Sequence, residues 1–253
     1  MSINNTNHAT SLEHRLQQSL FEVHVAKESF KFNAAHFVAF DGFRERLHGH
    51  NYQVSVRLFG SRSIGSDGYL IDFGDIKEVV KRICKNLNEH FLCPTLSDVM
   101  NIVVDDKAVT LTCQDGAFFS FPKSDCFMLP IVHATTEELS IYLYEQILIE
   151  LGSDRLRGRG IHTMETNVAE APGQSSSFRF PIPAESETFD IRNFIPNGQV
   201  NPRPCLENCS CISQLSSQLE RLAEAINNGK LKNQGHVTVE DLKASMENDT
   251  EDQ

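Results

Sequence analysis

The chain has 253 residues, 40% of them hydrophobic, and a formal net charge of −11. That length allows one sizeable core with segments left over. The acidic balance argues against nucleic acid as a partner, and no stretch approaches the roughly 18 consecutive apolar residues of a membrane span. Seven cysteines, an odd number without framework spacing in the main part of the chain, point to a reducing compartment. The polar first twenty residues lack the apolar centre of a secretory signal. The expected location is the cytoplasm.

Residues 1–19 are polar and expected to form a flexible N-terminus, with one compact domain over 20–180. The first strand runs over 21–36, where Phe30, Phe32, Ala34 and His36 fall in one phase of the strand period. An eleven-residue excursion, Phe37 to Leu47, leads to His48-Gly49-His50 and a second strand over 50–59. His48, His50, Tyr52, Val54 and Val56 share one face of it, because side chains repeat every second residue. An H-x-H pair alone is often an ordinary core or surface pair. Here a third imidazole, His36, ends the preceding strand in matching phase. Three neutral imidazoles from two paired strands suit a zinc ion with an open fourth position, the arrangement of a catalytic site.

Further along, Ile76, Val79, Val80, Ile83, Cys84 and Leu87 follow helical spacing, with Asp75 and Glu78 as a capping box and Glu89-His90 at the helix end. Residues 101–122 alternate around Asp115-Gly116, a hairpin signal. Thr135 and Glu138 form a second capping box, opening a helix through about Leu151. A last strand starts at Gly160 and includes Met164 and Glu165, and Ser175 to Phe180 can pair beside it. From Pro181 onward the prolines mark a linker, followed by one short amphipathic helix around Leu215, Leu219, Leu222 and Ile226 and a polar end. Residues 185–253 carry twelve Asp and Glu against six Lys and Arg, so about half of the negative charge lies in this tail. Cys205, Cys209 and Cys211 are the tail's only metal-like spacing; without a nearby fourth ligand they read as incidental. His24, His133 and His162 acquire no role from spacing.

Phe32-Asn33-Ala34-Ala35-His36 and Leu47-His48-Gly49-His50-Asn51-Tyr52, with Leu70-Ile71-Asp72-Phe73, Glu89-His90, Ala134-Thr135-Thr136-Glu137 and Met164-Glu165-Thr166 in the same order, resemble the 6-pyruvoyl-tetrahydropterin synthase family and its relative 6-carboxy-tetrahydropterin synthase. The resemblance covers about residues 20 to 180. It implies an α+β T-fold: an antiparallel four-stranded sheet with two helices on one face, assembling into a barrel. It also implies a homo-oligomer, trimer or hexamer, with active sites between subunits. Zinc would be held by His36, His48 and His50.

The same resemblance implies that the substrate is a pterin triphosphate, 7,8-dihydroneopterin triphosphate, and that Glu165 anchors the pterin, with Thr135 and Thr136 flanking it. Glu89 and His90 match the proton relay. The family's base is a cysteine between the first zinc histidine and the His-x-His pair. Here that segment has no cysteine, and Glu45 is its only glutamate, as in a branch where Glu replaces Cys. A carboxylate aimed at a hydroxyl favours C1′–C2′ cleavage to 6-hydroxymethyl-7,8-dihydropterin, for folate synthesis, over 6-pyruvoyl-tetrahydropterin with release of triphosphate. The alternative is a non-catalytic pterin-binding or scaffolding homologue that kept the fold. Asp72 reads as structural, and Arg44, Arg46, Lys27 and Arg57 are all available for a triphosphate.

Overall fold

A computed structural model describes residues 20–60 and 66–196. Two long strands, β1 (Phe21–His36) and β4 (His48–Gly60), pair antiparallel in a register that sets Phe32 opposite Tyr52 and His36 opposite His48. A bulge between Ala26 and Lys31 shifts the register by three residues, so Val25 before it and Phe30, Phe32 and Ala34 after it are buried although their numbering phases differ. β4 pairs on its other edge with β10 (Ile161–Ala171), which turns at Pro172-Gly173 into β11 (Gln174–Pro181). These four strands are the antiparallel core of the sheet. Two short parallel strands, β5 (His90–Pro94) and β9 (Cys126–Leu129), extend it beyond β1 to the order β11-β10-β4-β1-β5-β9.

Alternation divides the sheet into two unlike faces. Phe30, Phe32, Tyr52, Val54, Val56, Leu58, Met164 and Val168 are buried beneath α1 (Phe73–Leu87) and α2 (Thr136–Leu151), with a short α3 (Ser153–Gly158) following. Each fully buried side chain of this size contributes about 1.5–3 kcal/mol. The opposite phase carries Gln53, Ser55, Arg57, Glu165 and Asn167, which line a polar cleft of about 460 Å³. This is the α+β T-fold arrangement that the resemblance implies.

Between β5 and β9 the chain forms a separate meander: β6 (Met100–Val104), β7 (Ala108–Cys113) and β8 (Phe118–Pro122). The hairpin signal at Asp115-Gly116 is its second turn, with Gly116 at φ +79°. Val109, Leu111 and Cys113 form a second core with Phe37, Phe91 and Cys93. Cys84, Cys93, Cys113 and Cys126 are free. No helix among the described residues is long and apolar enough to cross a membrane.

Three expectations are corrected. The first helix begins at Phe73, two residues before Asp75, because the Asp72 carboxylate accepts a hydrogen bond from the Gly74 amide at 2.7 Å and caps it. Asp75 lies in the first turn and pairs with Arg155 instead. Glu89-His90 does not end the helix: Asn88 caps it, Glu89 takes φ +62°, and His90 opens β5. The change at Pro181 is one of composition, not of packing. Ile182, Ile191 and Ile195 are buried, and Phe189 and Phe194 pack on Phe178 and Phe180. The Cys205, Cys209 and Cys211 spacing and the helix expected near Leu215 lie outside the described residues.

Replacing the cap, Asp72→Ala, is expected to destabilise the fold by about 1 kcal/mol. Urea denaturation reads this as a lower midpoint at unchanged slope.

Candidate active site

The register of β1 and β4 brings the three imidazoles together at one end of the sheet. Ring centroids of His36, His48 and His50 stand 4.6, 5.0 and 4.9 Å apart, and their ligand nitrogens all lie within 4.8 Å of one another. Gly49 permits this approach: a Cβ there would stand 2.9 Å from the Ala34 carbonyl oxygen of the neighbouring strand. The His36 Nδ1–H donates to the backbone carbonyl of Ala134 at 2.8 Å, in the loop before α2. That bond leaves Nε2 as the free lone pair, and Nε2 is buried without a hydrogen-bond partner. An orphaned buried acceptor is costly, and a metal ion is the partner that fits its setting among two further imidazoles. Burial lowers the His36 pKa from its ordinary 6.5, and the adjacent His48 and His50 act in the same direction, so the ring is held neutral as a ligand must be. His48 is oriented by the Arg46 carbonyl at 2.8 Å.

A carboxylate that sequence reasoning missed completes this end of the sheet. Glu170 Oε2 lies 3.9 Å from His50 Nε2. It continues the phase of Met164, Thr166 and Val168, the face that β10 shares with the triad. That alternation is the signal in the sequence that places it there. Glu165 belongs to the other face. Its buried carboxylate accepts a hydrogen bond from Arg179 Nε at 2.5 Å and stands 3.6 Å from Arg57 Nε, so the structure does not bring it to the triad.

Glu45 is half-buried in the excursion between β1 and β4. Its backbone N–H donates to the Val38 carbonyl at 2.9 Å, and its Oε2 accepts from the Val38 N–H at 3.0 Å. Tyr52, whose ring packs at 5.8 Å from His36 and 5.6 Å from His50, has its hydroxyl pKa raised by burial and then by the charges of Glu170 and Glu45. Both carboxylates thus act on the ring beneath the triad.

His90 sits one strand further on. Ala34 pairs with His50 on one side and His90 on the other, and both histidines line a cleft of about 580 Å³ with Glu89 and Asp125. The His90 ring is held by the Asn88 carbonyl at 2.7 Å rather than by Glu89, whose side chain is exposed. Thr135 caps α2 by accepting from the Glu138 N–H at 3.3 Å. The capping box is redirected: the Glu138 carboxylate accepts from the Val132 and His133 amides, holding the loop that offers the Ala134 carbonyl to His36. Thr136 shares a hydrogen bond with Ser176 of β11 at 2.9 Å. Of the four cations available for a triphosphate, Arg44 is engaged by Asp115, and Arg57 by Glu22 and Glu165. Lys27 and Arg46 remain exposed.

The fold and site together define a T-fold protein with a three-imidazole cluster able to hold a metal, flanked by carboxylates. The family model described as 6-pyruvoyl tetrahydropterin synthase matches residues 24–179, and the chain belongs to that family. Among solved structures, the 6-pyruvoyl tetrahydropterin synthase of Plasmodium vivax is 45% identical, with a TM-score of 0.62 over 64% of this chain and 98% of that one. Two variants of the P. vivax protein, described as catalytic-residue mutants with a glutamate replaced by cysteine or alanine, match at 44% identity with the same coverage and TM-score. A Methanocaldococcus jannaschii protein, provisionally named 6-carboxy-5,6,7,8-tetrahydropterin synthase, is 30% identical over 63% of this chain and 96% of its own.

His36→Ala is expected to abolish stoichiometric metal binding, measured by metal analysis of the purified protein. Glu165→Gln should keep the metal and instead cost about 1–2 kcal/mol of stability, since it weakens a partly solvent-screened ion pair.

Proposed function

We propose that this chain is a zinc-dependent lyase that acts on 7,8-dihydroneopterin triphosphate and releases 6-hydroxymethyl-7,8-dihydropterin. The observation that carries the reading is the buried, unpartnered Nε2 of His36 beside His48 and His50, with Glu170 at 3.9 Å from the triad and Glu45 in the adjoining segment. A zinc ion held by the three imidazoles would supply Lewis acidity toward the side-chain hydroxyls. The P. vivax relative, whose catalytic residue is described as a glutamate, supports a carboxylate base here.

The chain's own residues divide the work. Glu165, in the polar cleft it lines with Arg57 and Asn167, accepts the adjacent N–H donors of the pterin's 2-amino group and ring, a pairing that suits one carboxylate. Glu45 takes the proton of the 2′-hydroxyl through the carboxylate oxygen not bonded to Val38. As C2′ becomes a carbonyl, the C1′–C2′ bond breaks and its electron pair passes into the conjugated ring. Protonation at C1′ then yields the hydroxymethyl pterin, and the second product is a two-carbon aldehyde that retains the triphosphate. His90 is the proton donor in this scheme, with Glu89 at the rim, while Thr135 and Thr136 hold the loop and helix start beside the pterin. Lys27 and Arg46 are the cations left for the triphosphate. We further propose a cytoplasmic homo-oligomer, trimer or hexamer, with active sites between subunits and the polar sheet face turned to the barrel interior.

Incubation of the zinc-loaded protein with 7,8-dihydroneopterin triphosphate, followed by mass spectrometry, tests the reading. 6-Hydroxymethyl-7,8-dihydropterin supports it, 6-pyruvoyl-tetrahydropterin replaces the product, and no turnover with tight pterin binding leaves a binding protein. Glu45→Gln should lower kcat by about 10²- to 10⁴-fold with zinc retained. Glu165→Gln should raise KM by about ten- to a hundredfold.

A further inference from the structure

We propose that Arg44 and Asp115 are positioning residues for Glu45, and that the β6–β8 meander serves as the seat of the segment that carries this base. The inference rests on the reading of Glu45 given above. The segment from Phe37 to Leu47 has little structure of its own. Its only ladder is the pairing of the two-residue strands β2 (Ala39–Phe40) and β3 (Phe43–Arg44) around a turn with Gly42 at φ +76°. A hairpin of that size is not stable in isolation, so contacts from elsewhere must hold the carboxylate.

Those contacts come from the β7–β8 turn, about seventy residues away in sequence. Arg44 Nε donates to Asp115 Oδ2 at 2.8 Å, while its Nη1 donates to the backbone carbonyl of Glu45 at 2.8 Å. One planar guanidinium thus ties the turn directly to the residue that carries the base, a geometry lysine cannot reproduce. The same guanidinium packs over Phe37 and Phe119, 5.9 and 5.5 Å from the ring centroids. Gln114 adds a second tie. Its Oε1 accepts from the Gly42 N–H at 3.2 Å, and its Nε2 donates to Asp41 at 3.3 Å.

The turn can act as an anchor because it is itself fixed. Asp115 Oδ1 accepts from the Ala117 N–H at 3.0 Å. Phe119 stacks on Phe37 at 5.0 Å, and Phe121 on Phe91 at 4.5 Å, seating the meander against β5 and the residue after His36. With Val38 bonded to both ends of Glu45, the hairpin is clamped from two sides. A general base must be held to within a fraction of an ångström, and a displacement of about 1 Å can cost on the order of a hundredfold in rate.

The test compares Asp115→Asn, Arg44→Ala, the double variant and Gln114→Ala in the full-length, zinc-loaded protein, with Glu45→Gln assayed in parallel. Expected for Asp115→Asn is a kcat lowered about tenfold, KM within about twofold of the parent and metal content unchanged. Trypsin cleavage after Arg46 should be faster. The double variant should be no worse than Arg44→Ala, because the two residues act as a unit, and Gln114→Ala should show a smaller loss of the same kind. Unchanged kcat per metal-loaded site in Asp115→Asn and Gln114→Ala, or losses that multiply in the double variant, would overturn the proposal. If Glu45→Gln itself keeps full turnover, the reading of Glu45 fails. If Glu45→Gln is inactive while Asp115→Asn is fully active, only the brace fails.

Discussion

The antiparallel register of β1 and β4 is the constraint on which the site depends. It sets His36 opposite His48 and Ala34 opposite His50, so three imidazoles from two strands converge with no irregular backbone between them. Because the strand period is two, a slip of one residue would carry the His48, His50 and Tyr52 phase to the opposite face and expose the core it continues. The register is therefore defended by the burial of Phe32, Tyr52, Val54 and Val56 beneath the helices. The apolar core and the polar site are consecutive stretches of the same alternation. Gly49 is the local concession, since the carbonyl of Ala34 occupies the space a side chain would need.

Around this register the loops supply orientation. The Ala134 carbonyl selects the His36 tautomer, and the loop containing it is held by Glu138, whose carboxylate turns back to the Val132 and His133 amides. A buried carboxylate thus holds the loop whose carbonyl orients His36, the kind of outer layer that would set the orientation and basicity of a metal-binding imidazole. The Asn88 side chain and the left-handed Glu89 perform a similar service on the other side of β1. Asn88 Oδ1 accepts from the Asn33 N–H at 2.9 Å, and the Glu89 N–H donates to the Asn33 carbonyl, so His90 begins a parallel strand instead of ending a helix.

The two faces of β10 show how the sheet sorts similar side chains into different tasks. Glu165 and Glu170 are five residues apart on one strand, and the odd separation puts them on opposite sides. Glu165 is bound by two arginines on the polar face, and Glu170 is left beside His50. The first lines the polar cleft together with Arg57 and Asn167, and the second stands at the imidazole end of the strand.

Local pattern in the sequence was sufficient for the features that depend on it. The phase of Phe30, Phe32, Ala34 and His36 against His48, His50 and Tyr52, the buried stripe of α1 and the Thr135 cap of α2 all follow from periods of 2 and 3.6 residues and from capping chemistry, and they are found as read. What local pattern could not contain was long-range pairing. The pairing of Glu165 with Arg57 and Arg179 depended on neighbouring strands, and the start of α1 turned on Asp72 reaching the Gly74 amide. The pairing of Arg44 with Asp115, about seventy residues on, is likewise outside local pattern. The sequence alone thus determined which residues share a face, because strand and helix geometry is local. Only the tertiary structure decided which of those residues remain free for chemistry, because ion pairs and hydrogen bonds between distant segments are settled when the chain packs.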